Sequence, residues 1–526
     1  MEYGWLSILP PLIAIGLALW ARQVILSLLL GVFTGALILS HWNPASAFML
    51  VADTYLVDAL ADRSHAAIVL FSITLGGMVG ILSRSGAADG IVSALASRIT
   101  GRRGGQTATA LMGTAIFFDD YANTLLVGNT MRPLTDRLRI SREKLSWLVD
   151  STAAPVATLA VISTWVGFEA GLIQDAMSQL GMEGSGYVMF LRSLPYNFYP
   201  ALTLGFVFLV AGTGRDFGPM AQAERRCIQT GQVLAPGAQP ASSAEDLTCT
   251  DHDPAPAWLA AVPILSVILI TILGLWWNGR GALIADGVSS FGLRDILNAA
   301  DSLAVLMWAS LGGSLLAGGL AIAQTPLTLR TTVDAWLDGA RAMLIAMVIL
   351  VLAWSLGAVC TALGTGPWLV EMTSGSLSAR LLPLITFILA SGISFATGTS
   401  WGTMAILIPI IFPLGAALPG AEGLSPAVAE TILLASISAV LAGAVFGDHC
   451  SPISDTTIMS SMASGADHID HVRTQMPYAA VVASVAILTG YLPAGWGLSP
   501  WLSMLMGFSI LAVLLRTIGR RPEETQ

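Results

Sequence analysis

The sequence predicts an all-α polytopic membrane protein, and three observations lead to this fold class. Of the 526 residues, 55% are hydrophobic and only 11% are charged, whereas about a quarter of the residues in a soluble domain are charged. Apolar runs of about 20 residues, long enough to cross a hydrocarbon core of roughly 30 Å, recur along the chain. One long polar segment, residues 213–256, divides these runs into two groups.

Ten of the apolar runs are uninterrupted, and several others are broken by polar residues. The first run lacks the basic segment and the cleavage pattern of a signal peptide, so we interpret it as a retained helix. The uninterrupted runs cover residues 6–20, 24–41, 66–83, 188–212, 257–277, 302–323, 341–360, 428–446, 475–492 and 500–517.

The polar segment sets the predicted domain boundaries. Residues 213–256 are rich in Gly, Pro, Ser and Gln, a composition typical of a flexible linker that cannot bury enough apolar surface to fold. This linker separates a first membrane repeat, 1–212, from a second membrane repeat, 257–492. Residues 493–526 add a C-terminal helix and a cytoplasmic tail.

The two membrane regions contain similar segments in the same order, which predicts an internal duplication. With Gly113 set against Gly392, "GTAIFFDDYANTLLVGNTMRP" aligns almost without gaps with "GISFATGTSWGTMAILIPIIFP". Farther along, "DSTAAPVATLAVIST" from Asp150 resembles "DHCSPISDTTIMSS" from Asp448. Shorter matches lie before and after these two, so the order supports the duplication more strongly than any single match does.

The charges around the first duplicated segment predict a re-entrant hairpin. Arg residues precede residues 106–131, and several Arg and a Lys follow them. Because basic residues concentrate on the cytoplasmic side, both ends of this stretch are expected there. The equivalent stretch, 382–413, is followed by acids without Arg or Lys, so its end is expected in the periplasm. Because the two equivalent stretches are expected to end on opposite sides of the membrane, the sequence predicts two inverted-topology repeats with a binding site near the midplane.

The tip of the first predicted hairpin carries polar side chains inside an apolar run. Asp119, Asp120, Asn123 and Thr124 fall within "FFDDYANTLLVG". An ionisable residue within the membrane indicates a functional site by default, and carboxylates at a hairpin tip can bind a hard cation. The alternative is that either acid caps the hairpin or pairs with a nearby Arg.

Two further acids begin segments that predict interrupted helices. Pro155 and Pro452 follow Asp150 and Asp448 at similar distances, and Pro frees a backbone carbonyl one turn earlier. Oxygen-rich side chains at such breaks suit sodium coordination, although hydroxyls that bond back within one helix would explain the Ser and Thr content alone. The predicted sodium ligands are Asp150, Ser151 and Thr152 in one half, and Asp448, Ser451, Ser454 and Asp455 in the other.

Several other polar residues are candidates for a substrate site. The second predicted hairpin supplies Thr397, Thr399, Ser400 and Thr403, which could instead be part of a glycine-mediated packing contact. Glu169 is either a proton carrier or an interfacial acid. His449 either modulates proton binding or is a satisfied buried histidine.

Other functional classes find little support in the sequence. No phosphate loop, nucleophile elbow or zinc-hydrolase helix is present, so we expect an ion gradient to supply the energy, with no cofactor and no enzyme activity. A zinc site from Asp448, His449 and Cys450 is disfavoured because adjacent side chains do not converge tetrahedrally. No basic patch indicates nucleic acid, and the polar run 466–475 is interpreted as a solvated loop.

At these motifs the chain resembles the NhaC family of sodium/proton antiporters, within the ion transporter superfamily. The resemblance rests on Phe117 to Glu169, together with "GTSWGTMAILIPI" and "GDHCSPISDTTIMSS". It implies a homodimer in the bacterial cytoplasmic (inner) membrane, with scaffold and transport domains and elevator-type movement. The superfamily's dicarboxylate carriers bear Ser-Asn-Thr at hairpin tips, where this chain has Ala122-Asn123-Thr124 and Trp401-Gly402-Thr403.

We therefore expect a secondary transporter that exchanges sodium for protons across the lipid bilayer by alternating access. Buried carboxylates bind protons or a cation at the same oxygens, so the two ions compete. The main alternative is a sodium-coupled symporter or exchanger of a small organic solute, such as a carboxylate or amino acid, for which Arg132 is the candidate anion-binding group. A channel and a purely structural membrane protein are further alternatives.

Overall fold

The computed structural model describes most of the chain. Among the described residues every regular element is helical, and the one β-bridge joins Asp216 to Arg520. This confirms the predicted all-α class. The described residues are 3–21, 23–87, 90, 101–240, 255–285, 287–288, 291–292, 295–296, 299–373, 377–452 and 454–521.

The first membrane region and the segment after it contain twelve labelled helices in the described residues. These are α1 (Leu9–Ala21), α2 (Val24–Leu39), α3 (Pro44–Ala61), α4 (Arg63–Arg84), α5 (Gly101–Ala115), α6 (Asp120–Arg137), α7 (Arg142–Asp150), α8 (Ala154–Ala157), α9 (Thr164–Gln179), α10 (Gly186–Ser193), α11 (Phe198–Thr213) and α12 (Gly218–Thr230).

The second membrane region and the C-terminal segment supply the remaining labelled helices of the described chain. These are α13 (Trp258–Ala285), α14 (Ser302–Gln324), α15 (Leu329–Ala342), α16 (Leu344–Leu363), α17 (Thr365–Thr373), α18 (Leu382–Thr397), α19 (Ser400–Ala421), α20 (Pro426–Cys450), α21 (Asp455–Ser464), α22 (His468–Ala486) and α23 (Pro500–Ile518).

Many of these helices are long and apolar enough to cross a membrane. The described residues contain 10 such spans, or up to 11 if α10 and α11, which meet at an angle of 51°, are counted as one bent span. The runs predicted at 6–20 and 24–41 form shorter apolar helices. Pro44–Ala61 is a span that was not among the apolar runs predicted from the sequence. The protein is therefore a multi-pass membrane protein, as predicted.

Two pairs of helices form hairpins whose ends lie together. Residues 116–119 join α5 to α6, and the Arg102 guanidinium at the start of α5 donates to the carbonyl of Arg139 just beyond α6. In the second pair, Gly398 takes a left-handed conformation (φ 69°) between α18 and α19. There the amide of Ala379 donates to Glu422 Oε1 at 2.6 Å. The inverted relation of the two hairpins stays a prediction.

The segments after the two hairpins are interrupted helices. Helix α7 ends at Asp150, α8 is a single turn, and residues 159–163 are non-helical before α9 begins. Helix α20 ends at Cys450, and α21 begins at Asp455. We call the interruption that begins at Ser151, after α7, the first break, and the interruption that begins at Ser451, after α20, the second break. Each break lies where the sequence predicted an interrupted helix.

The expectation that residues 213–256 do not fold is wrong for α12. Glu224 on this helix is fully buried and accepts hydrogen bonds from the Arg102 guanidinium at 2.5 Å and from the amide of Ser141 at 2.8 Å. Cys227, one turn later, is also fully buried. A helix of polar composition folds here because its charged groups meet partners from distant parts of the chain. Residues 241–254 lie outside the described residues.

A candidate cation site at two helix breaks

The two helix breaks lie side by side. Ser151 Oγ is 2.9 Å from His449 Nε2, so the residues that follow α7 touch the end of α20. Gln475 on α22 joins the same two segments, because its side-chain amide donates to Asp150 Oδ2 at 2.7 Å and also to the carbonyl of His449. The structure thus places the first residues of both predicted motifs in one buried cluster.

Hydroxyl groups surround the carboxylate of Asp448, which is buried. Ser454 Oγ donates to Oδ1 at 2.6 Å, while Ser400 Oγ and Thr456 Oγ1 donate to Oδ2 at 3.2 Å and 3.4 Å. These hydroxyls come from the break, the tip of the second hairpin and the first turn of α21. A rotated hydroxyl can offer a lone pair, so each of these donors is also a potential cation ligand.

Asp150 has a different set of partners. Its Oδ2 accepts from Gln475 Nε2 and lies 3.2 Å from His471 Nε2, while Oδ1 accepts from Ser460 Oγ at 3.2 Å. Nitrogen donors cannot become cation ligands while they donate, so Oδ2 of this carboxylate is held by hydrogen bonds rather than presented to an ion.

His471 and Gln475 correct the sequence interpretation, because residues 466–475 are not a solvated loop. Asp467 caps α22 by accepting from the amides of Ile469 and Asp470, and the helix starts at His468. Both His471 and Gln475 are fully buried. Their spacing of four places them on one helix face, which is the signal in the sequence that could have identified them.

His449 holds elements of both halves of the chain. Its Nε2 faces Ser151, and its Nδ1 lies 2.7 Å from the hydroxyl of Tyr199 on α11. One ring nitrogen can donate while the other accepts, which suits a neutral imidazole. This geometry supports the interpretation of His449 as a satisfied buried histidine.

The tip of the first hairpin is tied to the first break by Asn123. Its Nδ2 lies 2.5 Å from the carbonyl oxygen of Gly113, 3.0 Å from that of Ile116 and 2.8 Å from that of Thr152. Within the described residues, the buried Asn123 Oδ1 and Thr124 Oγ1 have no hydrogen-bond partner. These two oxygens are therefore available to a bound ion or solute.

The adjacent acids of the first hairpin are both buried. Asp119 Oδ2 accepts from Thr164 Oγ1 at 3.1 Å, and the amide of Thr164 donates to the carbonyl of Phe118 at 2.9 Å. Asp119 thus links the tip to the start of α9. Asp120 is the first residue of α6, where a helix N-terminus favours negative charge.

The other predicted oxygens divide into those that reach the acids and those that bond to nearby backbone. Ser400 reaches Asp448, whereas Thr403 Oγ1 donates to the carbonyl of Thr399 at 2.9 Å. The side chain of Asp455 lies outside the described residues. Contacts of the other side chains include Thr152 to Leu148 O, Thr397 to Ile393 O, Thr399 to Gly402 N and Ser451 to Phe395 O.

Within the described residues Glu169 makes no hydrogen bond to this cluster. It is fully buried on α9, its Oε1 accepts from Thr158 Oγ1 at 2.7 Å, and its Oε2 has no hydrogen-bond partner among the described residues. No three His, Cys, Asp or Glu side chains in the described part of the chain converge as a metal cluster. A cation at the breaks would therefore be held by hydroxyl and carbonyl oxygens as well as carboxylate.

The sequence profile of the Na+/H+ antiporter family matches residues 156–496, which include α9, both arms of the second hairpin and the second break. The chain belongs to the Na+/H+ antiporter family. This confirms the resemblance to NhaC, and it makes the protein a secondary transporter and not an enzyme. The family and the spans together place this antiporter-family chain in a membrane, with the bacterial inner membrane as the expected location.

Individual proteins are similar to this chain in sequence or in fold. An uncharacterized Haemophilus influenzae protein is 35% identical over 525 residues, which cover 97% of this chain and 94% of the relative. The malate-2H(+)/Na(+)-lactate antiporter of Bacillus subtilis is 32% identical over 158 residues, 28% of this chain and 31% of the relative. The YdaH transporter of Alcanivorax borkumensis has a similar fold, with a TM-score of 0.56 at 13% identity over 86% of this chain and 90% of YdaH.

Proposed function

We propose that this antiporter-family protein exchanges sodium for protons, and that Asp448 binds both ions in turn. The observation that carries the proposal is the set of three hydroxyl groups, Ser400, Ser454 and Thr456, around the buried Asp448 carboxylate. Carboxylate and hydroxyl oxygens suit a hard cation. Burial favours the neutral acid and a bound cation favours the carboxylate, so sodium and a proton compete for the same oxygens.

The origin of these ligands supports alternating access. Ser400 belongs to the tip of the second hairpin, whereas Asp448 and Ser454 flank a helix break. Transporters with broken helices place their sites where such elements meet near the midplane. We propose that the hairpins and breaks move together as a transport domain, in an elevator-type cycle, against the remaining helices.

The two acids at the breaks have different roles in this proposal. Asp448 contacts the cation directly. Asp150 keeps its nitrogen donors, Gln475 and His471, and so fixes the position of the first break beside the second. In this position Ser151 Oγ meets His449, and the carbonyl of Thr152 accepts from Asn123. Asn123 Oδ1 and Thr124 Oγ1 at the neighbouring hairpin tip have no hydrogen-bond partner among the described residues and can take part in binding the ion.

The proposal is tested by Asp448→Asn in proteoliposomes. We expect sodium-dependent proton flux to fall to the level of protein-free vesicles, because an amide neither carries a proton nor neutralises a cation. Asp150→Asn should also abolish the flux, but sodium should still raise the melting temperature of this variant in detergent. Asp338→Asn, on the exposed face of α15, is the matched control and should transport normally. Sodium-dependent flux that persists in Asp448→Asn would overturn the proposal.

A second candidate function is sodium-coupled exchange of an organic solute. Two observations favour it: one relative is a malate-2H(+)/Na(+)-lactate antiporter, and Trp401 beside Ser400 packs on Trp165 and Phe168 with ring centroids 5.3 Å and 4.5 Å away. These rings could form the wall of a solute pocket. Thermal stabilisation by carboxylates or amino acids, beyond the response to sodium, lithium and pH, would favour this function over ion exchange alone.

A further inference from the structure

We propose that Glu169 is a second ion-binding site that takes a proton but not sodium. This inference rests on the proposed sodium/proton exchange and adds to it a proton that does not compete with the cation. Glu169 is fully buried on α9 and has one hydrogen-bond donor, Thr158 Oγ1, at 2.7 Å. Among the described residues its second oxygen, Oε2, has no partner.

The surroundings of Glu169 disfavour a permanent charge. The neighbours three and four residues away on α9, which share its side of the helix, are all apolar and almost fully buried. They are Trp165, Val166, Leu172 and Ile173. A carboxylate with a single hydroxyl donor is poorly compensated for the loss of water, so the neutral acid is the stable form in this conformation.

The helices packed against α9 are α4, α10, α16 and α19, and among the described residues none of them brings a charged partner to Glu169. Their titratable side chains within the described residues bond elsewhere or have no bond to Glu169. His65 pairs with Asp175 at 3.5 Å, the Tyr187 hydroxyl donates to the carbonyl of Val161 at 2.8 Å, and Arg192 pairs with Glu430. The others are Arg63, Arg84 and Cys360.

The same geometry explains why sodium would be excluded. Around Asp448, three hydroxyls from three different segments approach the carboxylate. At Glu169 the described residues supply one hydroxyl. A sodium ion at Glu169 would therefore lack the oxygen ligands that replace its water, whereas a proton needs only the carboxylate itself.

The segment that carries Thr158 explains how Glu169 could bind and release a proton. Thr158 directly follows α8 and lies close to the first break, and the non-helical residues 159–163 then lead to α9. Val161 in this segment is 46% exposed. Non-helical backbone at membrane depth is stable only when it is buried in protein or lines a wet cavity, so we infer that Val161 lines such a cavity. Movement of the break would then change the single hydrogen bond of Glu169.

The proposal is tested by Glu169→Gln in proteoliposomes, with the coupling ratio measured from the membrane potential and ion gradients at which flux reverses. We expect the variant to move one proton fewer per sodium than the wild type. Sodium should stabilise the variant against heat as it does the wild type, because the cation site is intact. An unchanged ratio would show that Glu169 is a permanently neutral structural acid, and lost sodium stabilisation would place it in the cation site.

A spectroscopic measurement keeps the test decisive if Glu169→Gln folds poorly. In infrared titrations the wild type should show a protonated-carboxyl band that sodium does not remove. Thr158→Val keeps the acid and removes its donor, so this band should shift in frequency, which assigns the band to Glu169. A wild type without sodium-dependent proton flux would refute the proposed exchange itself, whereas absence of the sodium-insensitive band would refute only the Glu169 site.

Discussion

At the scale of single residues, the kind of donor separates two acids that look equivalent in the sequence. Asp150 and Asp448 each begin a duplicated motif, but Asp150 accepts from two nitrogen donors and one hydroxyl, whereas Asp448 accepts from three hydroxyls. An amide N–H offers a hydrogen and no lone pair, whereas a hydroxyl offers both. The three hydroxyls around Asp448 can therefore turn their lone pairs toward a cation without moving the side chains, whereas Oδ2 of Asp150 is held by nitrogen donors.

Gln475 illustrates the structural role of the nitrogen donors. Gln475→Leu should lower the free energy of unfolding by about 1–3 kcal/mol, because Asp150 Oδ2 and the carbonyl of His449 lose a buried donor. Chemical denaturation in detergent measures the loss. Gln222→Leu, at an exposed position on α12, should change stability little. Equal effects of the two substitutions would contradict the assignment.

The residue scale also shows what sequence reasoning could supply. Asp150 and Asp448 were identifiable because acids a few residues before a Pro inside apolar segments are energetically costly and indicate a functional site. His471 and Gln475 were missed because a polar run looks solvated until its helix is placed against a partner. Hydrogen bonding across more than 300 residues, such as Gln475 to Asp150, depends on tertiary packing that local composition does not encode.

At the scale of elements, α12 and the residues just before it bind to α7, which carries Asp150, and to α22, which carries Gln475. Arg226 on α12 pairs with Glu143 at the start of α7 at 2.9 Å. Just before α12, Asp216 accepts from the Tyr478 hydroxyl on α22 at 2.6 Å and pairs with the fully buried Lys144. Removing one partner of a buried pair leaves a costly charge, so these contacts hold the segment firmly.

The reactivity of Cys227 should report whether α12 is docked. Burial and the nearby Glu224 carboxylate raise the pKa of the Cys227 thiol to about 12, so at neutral pH it carries far less reactive thiolate than an ordinary cysteine. In a Cys249→Ser background, Cys227 should resist maleimide in the folded protein. Arg102→Ala removes the partner of Glu224 and should speed labelling at least tenfold. Rapid labelling without that substitution would mean that α12 is not docked.

The hairpins were predictable at this scale, and α12 was not. Basic residues on both sides of residues 106–131 required the two ends to share one side, and the contact between Arg102 and Arg139 agrees with that requirement. The fold of α12 depends instead on Arg102 and Ser141, which lie more than 80 residues away from Glu224. Average composition over residues 213–256 could not reveal these partners.

At the scale of the whole molecule, one chain of contacts runs from hairpin to hairpin. Asn123 joins the first hairpin to the carbonyl of Thr152, Ser151 joins the first break to His449, and Ser400 joins the second break to the second hairpin. Because each link is buried, the two hairpins and two breaks form a connected unit. This continuity supports a transport domain that moves as one body, with the cation site inside it.

The predicted opposite orientation of the two hairpins in the membrane can be tested by labelling. Each hairpin has both ends together, through Arg102 with Arg139 and through Ala379 with Glu422, so one position per hairpin suffices to determine its side. In a Cys249→Ser background, Arg137→Cys should react with an impermeant maleimide only from the cytoplasm, and Ala421→Cys only from outside. Both positions are exposed, so burial does not confound the labelling. Labelling of both positions from the same side would exclude inverted repeats. It would also exclude a mid-membrane site formed by oppositely inserted hairpins. The lack of basic residues after the second hairpin would then not predict the side on which that hairpin ends.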